Sequence, residues 1–246
     1  MMGWPADVPA SAHLFVASVG ELGDTIDVGG EDGHHLARVL RLRTGEAVTV
    51  ADGLGSWRPY QVGGVTGTGV RLDATDDLAQ EPALAPRLAV AFALTKGDKP
   101  ELVVQKLTEL GIDRIVPVLA ERSVSRPDPD RAAGAAERWH RIAREAARQC
   151  RRATLPAVEE LRPLASLAGH PALVVAERGA GAAGALSPPP DGEILVVVGP
   201  EGGLAPEEVE ALKPWGRLGL GPHVLRAETA ALAAATVLAA LRRPAS

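Results

Sequence analysis

The chain has 246 residues, of which 46 % are apolar and 23 % charged, with a net charge of −5; this is room for one large domain or two smaller ones and excludes disorder throughout. No run of about eighteen apolar residues occurs and the start (MMGWPADVPASAHLF) lacks a basic stretch followed by an apolar one, so neither a membrane span nor a signal peptide is expected. The single cysteine, Cys150, excludes an intrachain disulfide and a cysteine-based zinc cage, and fits a reducing cytoplasm.

Residues 1–77 read as a β-rich first domain. Short segments at Glu46–Ala51, Arg58–Val62 and Gly69–Leu72 are separated by glycine and aspartate, with Asp52-Gly53 and Gly63-Gly64 as turn signals. Closely spaced short strands suggest a small barrel, interrupted by one helical piece at His34–Leu40. Thr75–Pro86 has acids, two prolines and no period, and reads as a connection; the linker is placed at residues 78–86.

From Arg87 to the end the rhythm alternates strand and helix. Leu88–Leu94 is a continuous apolar run, as in a strand covered on both faces. Pro100 opens a helix with an apolar stripe of Leu102, Val103, Leu107 and Leu110, closed by Gly111. Ile112–Leu119 is the next strand, followed by a basic helix over Glu137–Cys150. Ala172–Ala176 and Glu193–Val198 are strands flanking a Gly/Pro-rich loop over residues 178–192. Pro206 begins a helix with Glu207 and Glu208 in its first turn, Arg217–Leu220 is a short strand, and Glu228–Arg243 is an Ala/Leu-rich helix ending in two arginines that suit its dipole. This order implies a mostly parallel sheet with helices on both faces, an α/β domain.

Charge is unevenly distributed. Residues 1–77 hold five arginines against eleven acids, while 138–152 (RWHRIAREAARQCRR) carry six arginines against one glutamate. Alanine occurs 43 times and only four of 26 basic residues are lysine, a bias that GC-rich codons explain. Arg141, Arg144, Arg148 and Arg151 recur at helical spacing on one face, with Arg138 beside them. With few interleaved acids, such a stripe suits a polyanion such as RNA better than plain solvation. Arg38 and Arg41 join Arg43 and the pair His34-His35 in a smaller basic cluster; adjacent histidines point apart on a helix, so no metal is expected.

The most specific loop is GPEGG, residues 199–203, between a strand and a helix. Its glycines let the backbone approach a ligand. A phosphate cradle is rejected, because a P-loop needs a lysine and a Ser/Thr where this loop offers Glu201, and Pro200 removes an N–H. Glu201 suits a ribose, a base or a cation; a bare strand-to-helix turn remains the alternative. In Leu218–Ala230 (LGLGPHVLRAETA) a polar Arg226-x-Glu228-Thr229 cluster opens an otherwise apolar helix, which marks a site more than simple capping does. TKGDK, residues 95–99, follows a parallel strand, where ligands collect, although solvated lysines explain it equally. No G-x-G-x-x-G follows Leu94, which argues against a dinucleotide-dependent oxidoreductase.

HHLARVLR (34–41), TKGDKPELVVQKLTELGIDRIVPV (95–118), RWHRIAREAARQCRRATLPAV (138–158), VVGPEGGLAPEEVEAL (197–212) and LGPHVLRAETAALAA (220–234) together resemble the successive motifs of the RsmE family, the ribosomal RNA small subunit methyltransferases E of the SPOUT superfamily. The resemblance implies a PUA-like β-barrel over 1–77 and an α/β domain with a C-terminal trefoil knot over 87–246. It further implies a homodimer, S-adenosylmethionine (SAM) as cofactor, no metal, and methylation of N3 of a uridine in 16S rRNA of the small ribosomal subunit, a step of ribosome biogenesis. Carried over, the cofactor-binding positions are Leu94, Thr95, Ala176, Gly199, Pro200, Glu201, Gly202, Gly203, Leu220, Gly221, Val224, Leu225, Thr229 and Ala230, with Glu177 beside Ala176. Arg226 is expected to stabilise the uridine anion and Glu228 or Glu201 to orient it or take its proton. Arg148 stands where the family pattern has Glu, and Ala205 where it has a capping Ser or Thr. Methylation of another RNA position, such as a ribose 2′-hydroxyl, and a non-catalytic RNA-binding assembly factor are the alternatives.

Overall fold

The computed structural model describes residues 3–181 and 192–244, and the chain forms two compact units. One takes in the chain as far as Pro82 together with Ala147–Leu155; the other is Ala83–Ala146 and the chain from Pro156 onward. The expected loop over 178–192 lies mostly outside the described residues.

The first unit contains β1 (Ala12–Phe15), β2 (Thr25–Val28), α1 (Gly30–His34), β3 (Ala47–Ala51), β4 (Ser56–Val65), β5 (Val70–Ala74) and β6 (Ala79–Gln80). The sheet runs in the order β1-β3-β4-β5-β2, with β1 parallel to β3, the other pairs antiparallel, and β6 added to β4. Leu14, Leu36, Val48, Val50, Tyr60, Val62 and Leu72 fill its core. The helical piece is divided: after α1, His35–Val39 widen into a π-turn. Asp52-Gly53 makes the expected turn, the Asp52 carboxylate accepting from the N–H groups of Leu54 (2.7 Å) and Ser56 (3.0 Å). Gly63-Gly64 makes no turn; it lies inside β4, where the register against β5 slips, and the reversal comes at Thr66–Gly69. Glycine there permits a bulge rather than a hairpin loop.

The expected linker is ordered structure. β6 extends the sheet, and the buried Glu81 carboxylate accepts from the N–H of Ala153 (3.2 Å). A short run without period still joins a sheet through its backbone, which hydrophobic patterning cannot register.

The second unit contains β7 (Leu84–Ala85), β8 (Arg87–Ala93), α2 (Lys99–Glu109), β9 (Arg114–Leu119), α3 (Pro129–Cys150, whose end from Ala147 counts with the first unit), β10 (Ala157–Val158), β11 (Arg162–Pro163), β12 (Leu173–Ala176), β13 (Glu193–Val198), α4 (Pro206–Leu212), β14 (Gly216–Leu218), α5 (Ala227–Ala239) and β15 (Arg243–Pro244). A parallel sheet runs β10-β9-β8-β13-β12-β14, with β11 also on β9, while β15 pairs antiparallel with β7. Strand alternation sorts the side chains into two cores. Leu88, Val90, Phe92, Ile194 and Val196 face one, with α2, α3 and α5; Ala89, Ala91, Ala93, Leu195 and Val197 face the other, with Leu164, Leu167 and Leu212. α2 ends in a Schellman turn: Gly111 (φ +79°) donates to Thr108 and Ile112 to Leu107.

Two terminal expectations change. α5 stops at Ala239, so Arg242 does not sit on the helix dipole. Its guanidinium instead donates to the Gly111 carbonyl (2.7 Å) and the Asp113 carboxylate (2.7 Å), which also accepts from the N–H of Leu88. A buried pair of this kind fixes the strand starts more firmly than a dipole contact would.

In the first unit His13 is buried between the Thr49 hydroxyl (2.8 Å) and the Arg152 carbonyl (2.9 Å). Burial pushes its pKa down from 6.5 to about 4, aided by the charges of Arg151 and Arg148 and opposed by the Arg152 hydrogen bond. The imidazole is therefore held neutral, and the unfolded chain binds the extra proton between those values. This contribution is intact above pH 6.5 and is lost as pH falls toward 4, about 3 kcal/mol in all. Urea unfolding at pH 7.5 and 4.5 should show His13→Asn losing less stability over that interval than the parent; equal losses would contradict the assignment.

Candidate active site

The loops that leave the carboxyl ends of β8, β12, β13 and β14 supply the site, as expected for an open parallel sheet. After β13 the chain bends at Pro200–Gly203, closed by the Gly203 N–H donating to the Pro200 carbonyl (2.8 Å), with Gly203 at φ +71° where a side chain is disfavoured. Arg122, in the segment after β9, donates to the Gly202 carbonyl (2.9 Å). Ala205 cannot cap α4 with its side chain. The Glu208 carboxylate makes the other half of a capping box, accepting from the N–H groups of Ala205 (2.9 Å) and Glu121 (2.7 Å). The N–H groups of the first turn that a Ser or Thr hydroxyl would accept from receive no side-chain cap at this position.

After β14 the chain passes hard against the segment after β12. The Gly219 N–H donates to the Gly181 carbonyl (2.8 Å), and a Cβ on Gly219 would fall 2.1 Å from the Ala180 carbonyl oxygen. The Glu177 N–H donates to the Leu218 carbonyl, and its carboxylate pairs with Arg217.

Between these loops lies a cavity of about 370 Å³, within the roughly 300–1,000 Å³ typical of small-molecule sites. Of the residues expected there, Gly199, Pro200, Glu201, Gly202 and Gly203 form one wall. Leu220, Gly221, Val224 and Leu225 form another, and Ala176 and Ala230 stand at strand and helix ends. Leu94, Thr95 and Thr229 do not line it. The Leu94 N–H still bonds to Val118 and its side chain is in the core, Thr95 is buried, and Thr229 is exposed on α5. Arg178, Val198, Leu204, His223 and Ala227 also line the cavity. Arg178 lies outside every motif, while Val198, Leu204, His223 and Ala227 lie within the quoted motifs but carry no side chain that marks them as ligands by type and spacing alone. Val198 and Leu204 were nevertheless legible as the flanks of GPEGG. A hollow of about 590 Å³ shares Arg178 and Gly221.

Charge converges beside the cavity. The Lys99 ammonium lies 3.3 Å from Glu201 and 3.4 Å from Glu228. The Glu228 side chain is only 12 % exposed, whereas Glu201 is 42 % exposed. Arg226 precedes α5 as its N-cap residue and is exposed. Backbone amides and carbonyls for a polar ligand edge, apolar Leu220 and Leu225 for a ring, and a carboxylate for a positive centre are all present. Among the described residues no group of three or more His, Cys, Asp or Glu is placed to hold a metal ion, and no helix is long and apolar enough to cross a membrane.

The arginine stripe is less uniform than its spacing suggests. Arg141 is exposed, Arg138 pairs with Glu101 (2.8 Å) and Arg144 is half-buried. Arg148 is half-buried and holds both carboxylate oxygens of Asp32 (2.8 and 3.0 Å). Arg151 lies past the end of α3 at φ +57° and donates to the carbonyls of Val8 (2.9 Å) and Ala10, so it does not share the helix face. Arg38 and Arg41 are exposed.

Residues 82–239 match the RNA methyltransferase domain family, and residues 28–73 match the RNA methyltransferase PUA domain. The chain is 33 % identical to a ribosomal RNA small subunit methyltransferase E of Mycobacterium bovis, covering 90 % of this chain and 88 % of that one. It is 32 % identical to the Bacillus subtilis protein of the same name, over 87 % and 89 %. Among solved structures, a ribosomal RNA small subunit methyltransferase E of Neisseria gonorrhoeae bound to S-adenosyl methionine superposes with a TM-score of 0.82 at 26 % identity, covering 94 % and 97 %. A Legionella pneumophila protein solved with its bound cofactor SAM gives 0.81 at 27 %, covering 95 % and 98 %.

Gly219→Ala tests the close approach that shapes the cavity. The added carbon meets backbone, so a cost of about 1–3 kcal/mol is expected, read as a lowered melting temperature; an unchanged melt would mean that the segment after β12 yields freely.

Proposed function

The chain belongs to the ribosomal RNA small subunit methyltransferase E family and is a SAM-dependent methyltransferase of small-subunit ribosomal RNA; we propose that its target is N3 of one uridine in 16S rRNA. The observation that carries this reading is the glycine-walled cavity at the sheet's carboxyl edge, with Glu201 in its wall and Glu228 and Arg226 at the start of α5. The cavity fits the cofactor: its lining combines the peptide groups of the Gly199–Gly203 bend, the apolar side chains of Val198, Leu204, Leu220 and Leu225, and the carboxylates of Glu177 and Glu201.

Bound SAM supplies an electrophilic methyl group on a sulfonium. The chain must do the rest. Uridine N3 carries a proton at neutral pH and is a poor nucleophile. Glu228 or Glu201 accepts that proton, and Arg226 meets the negative charge that develops on the uracil, as oxyanion-type donors do. The loops hold the nitrogen in line with the methyl group, and alignment of this kind is worth about 7–11 kcal/mol.

The exposed arginines Arg38, Arg41, Arg138 and Arg141 contact RNA phosphates in this reading, while Arg148 and Arg151 serve the fold of the first unit. A trefoil knot is part of the proposal. Its support is that β14 lies at the sheet edge, that the following segment bonds to the one after β12, and that α5 returns to pack on α2, β8 and β13. A cytoplasmic homodimer completes the picture, in keeping with family membership and the single cysteine.

Incubation with labelled SAM and small subunits lacking the modification, followed by nucleoside analysis, should yield 3-methyluridine. A 2′-O-methylated product would move the target to ribose, and no transfer with no SAM binding in calorimetry would leave an assembly factor. Arg226→Ala should keep SAM affinity and lose roughly a hundredfold or more in turnover; full turnover removes Arg226 from the chemistry. Replacing Arg38, Arg41 and Arg141 by Ala should flatten the salt dependence of RNA binding, by about one unit of slope per lost phosphate contact, and an unaltered slope would count against these contacts.

A further inference from the structure

Lys99, Glu201 and Glu228 come from three separate segments: the first residue of α2, the bend after β13, and the first turn of α5. The two carboxylates are unequally placed. Glu201 Oε1 hydrogen-bonds the ammonium at 3.3 Å and is partly solvated. Glu228 Oε2 is sealed from solvent and accepts no hydrogen bond, so the ammonium 3.4 Å away is its compensating charge among the described residues. The rest of the buried face of α5 is apolar: Ala227, Ala231, Ala234, Ala235 and Leu238. A buried carboxylate in such a setting depends on its partner for both its charge and its direction.

We propose that Lys99 is a positioning residue of the methyl transfer, holding Glu228, beside the cavity, to Glu201, in its wall, so that the carboxylate serving uridine N3 is correctly placed. The ammonium is a compact point charge that two carboxylates can share, which the planar fork of an arginine does less well. Lys99 itself does not line the cavity, so it acts through the placement of the carboxylates and makes no contact of its own with the cofactor. This rests on the reading of the two carboxylates given under the proposed function.

The test compares Lys99→Met, Lys99→Arg, Glu228→Gln, Glu201→Gln and the double variants of Lys99→Met with each glutamine, measuring SAM affinity by calorimetry, single-turnover methyl transfer to unmodified small subunits, and melting temperature. Lys99→Met should slow transfer by roughly tenfold to a hundredfold, as expected for a displaced catalytic group, with the SAM Kd within about threefold of the parent. Lys99→Arg should recover at least about threefold of that rate by restoring the charge. Lys99→Met should add little to the loss already caused by the glutamine at the carboxylate it positions, because both changes disable one unit. If Lys99→Met does not fold, Lys99→Gln takes its place. Parental rate without the ammonium, equal losses in the Met and Arg variants, or losses that multiply with those of both glutamine variants would overturn the role of Lys99. Parental rates in both Glu228→Gln and Glu201→Gln would instead overturn the reading of the carboxylates on which it stands.

Discussion

Backbone approaching backbone without room for a side chain is the constraint on which the candidate site depends. Gly219 passes so near the Ala180 carbonyl that a Cβ there would stand 2.1 Å away. That approach brings the segment after β14 beside the one after β12, and the bend at Gly199–Gly203 closes the cavity from the third side. The walls are then largely peptide groups, fixed by the sheet below. A ligand meets donors and acceptors that are already oriented, which costs little ordering on binding.

The opposite edge of the same sheet is secured by charge. Arg114 at the start of β9 reaches Glu193 at the start of β13 and Glu159 (2.6 Å), and His170 joins Glu193 (3.1 Å). Desolvation raises the Glu193 pKa, but the hydrogen bond and charge of Arg114 outweigh it and leave the carboxyl below its ordinary value, while Arg114 itself is raised by Glu193 against its own burial. Arg242 and Asp113 clamp the start of β8. Partly buried, well-paired clusters of this kind fix strand order more than they add net stability. They leave the carboxyl ends of the strands, where the cavity lies, for chemistry.

The arginine-rich helix shows how one composition serves two ends. Arg141 faces solvent, yet Arg148 and Arg151 are used up on Asp32 and on the carbonyls of Val8 and Ala10. The acidic excess of residues 1–77 is thereby partly accounted for: Asp32 is the counter-charge of Arg148, and Glu81, just beyond, caps the backbone of Ala153. Arg148 in place of the family's glutamate has a partner of its own.

The sequence by itself determined whatever repeats over a few residues. The apolar runs at 88–94 and 193–198, the Gly111 stop of α2, the proline starts of α2 and α4 and the glycines of GPEGG were all readable, because strand alternation, helix periodicity and backbone freedom are local properties. It did not reveal that Ala79–Gln80 join a sheet, that Gly63-Gly64 is a bulge, or that α5 ends before Arg242. Only the tertiary structure decided which charges meet. Lys99 finds Glu201 across 102 positions and Arg148 finds Asp32 across 116. A side chain carries the same charge wherever it stands, so its partner, its burial and hence its role are set by how distant segments are brought together.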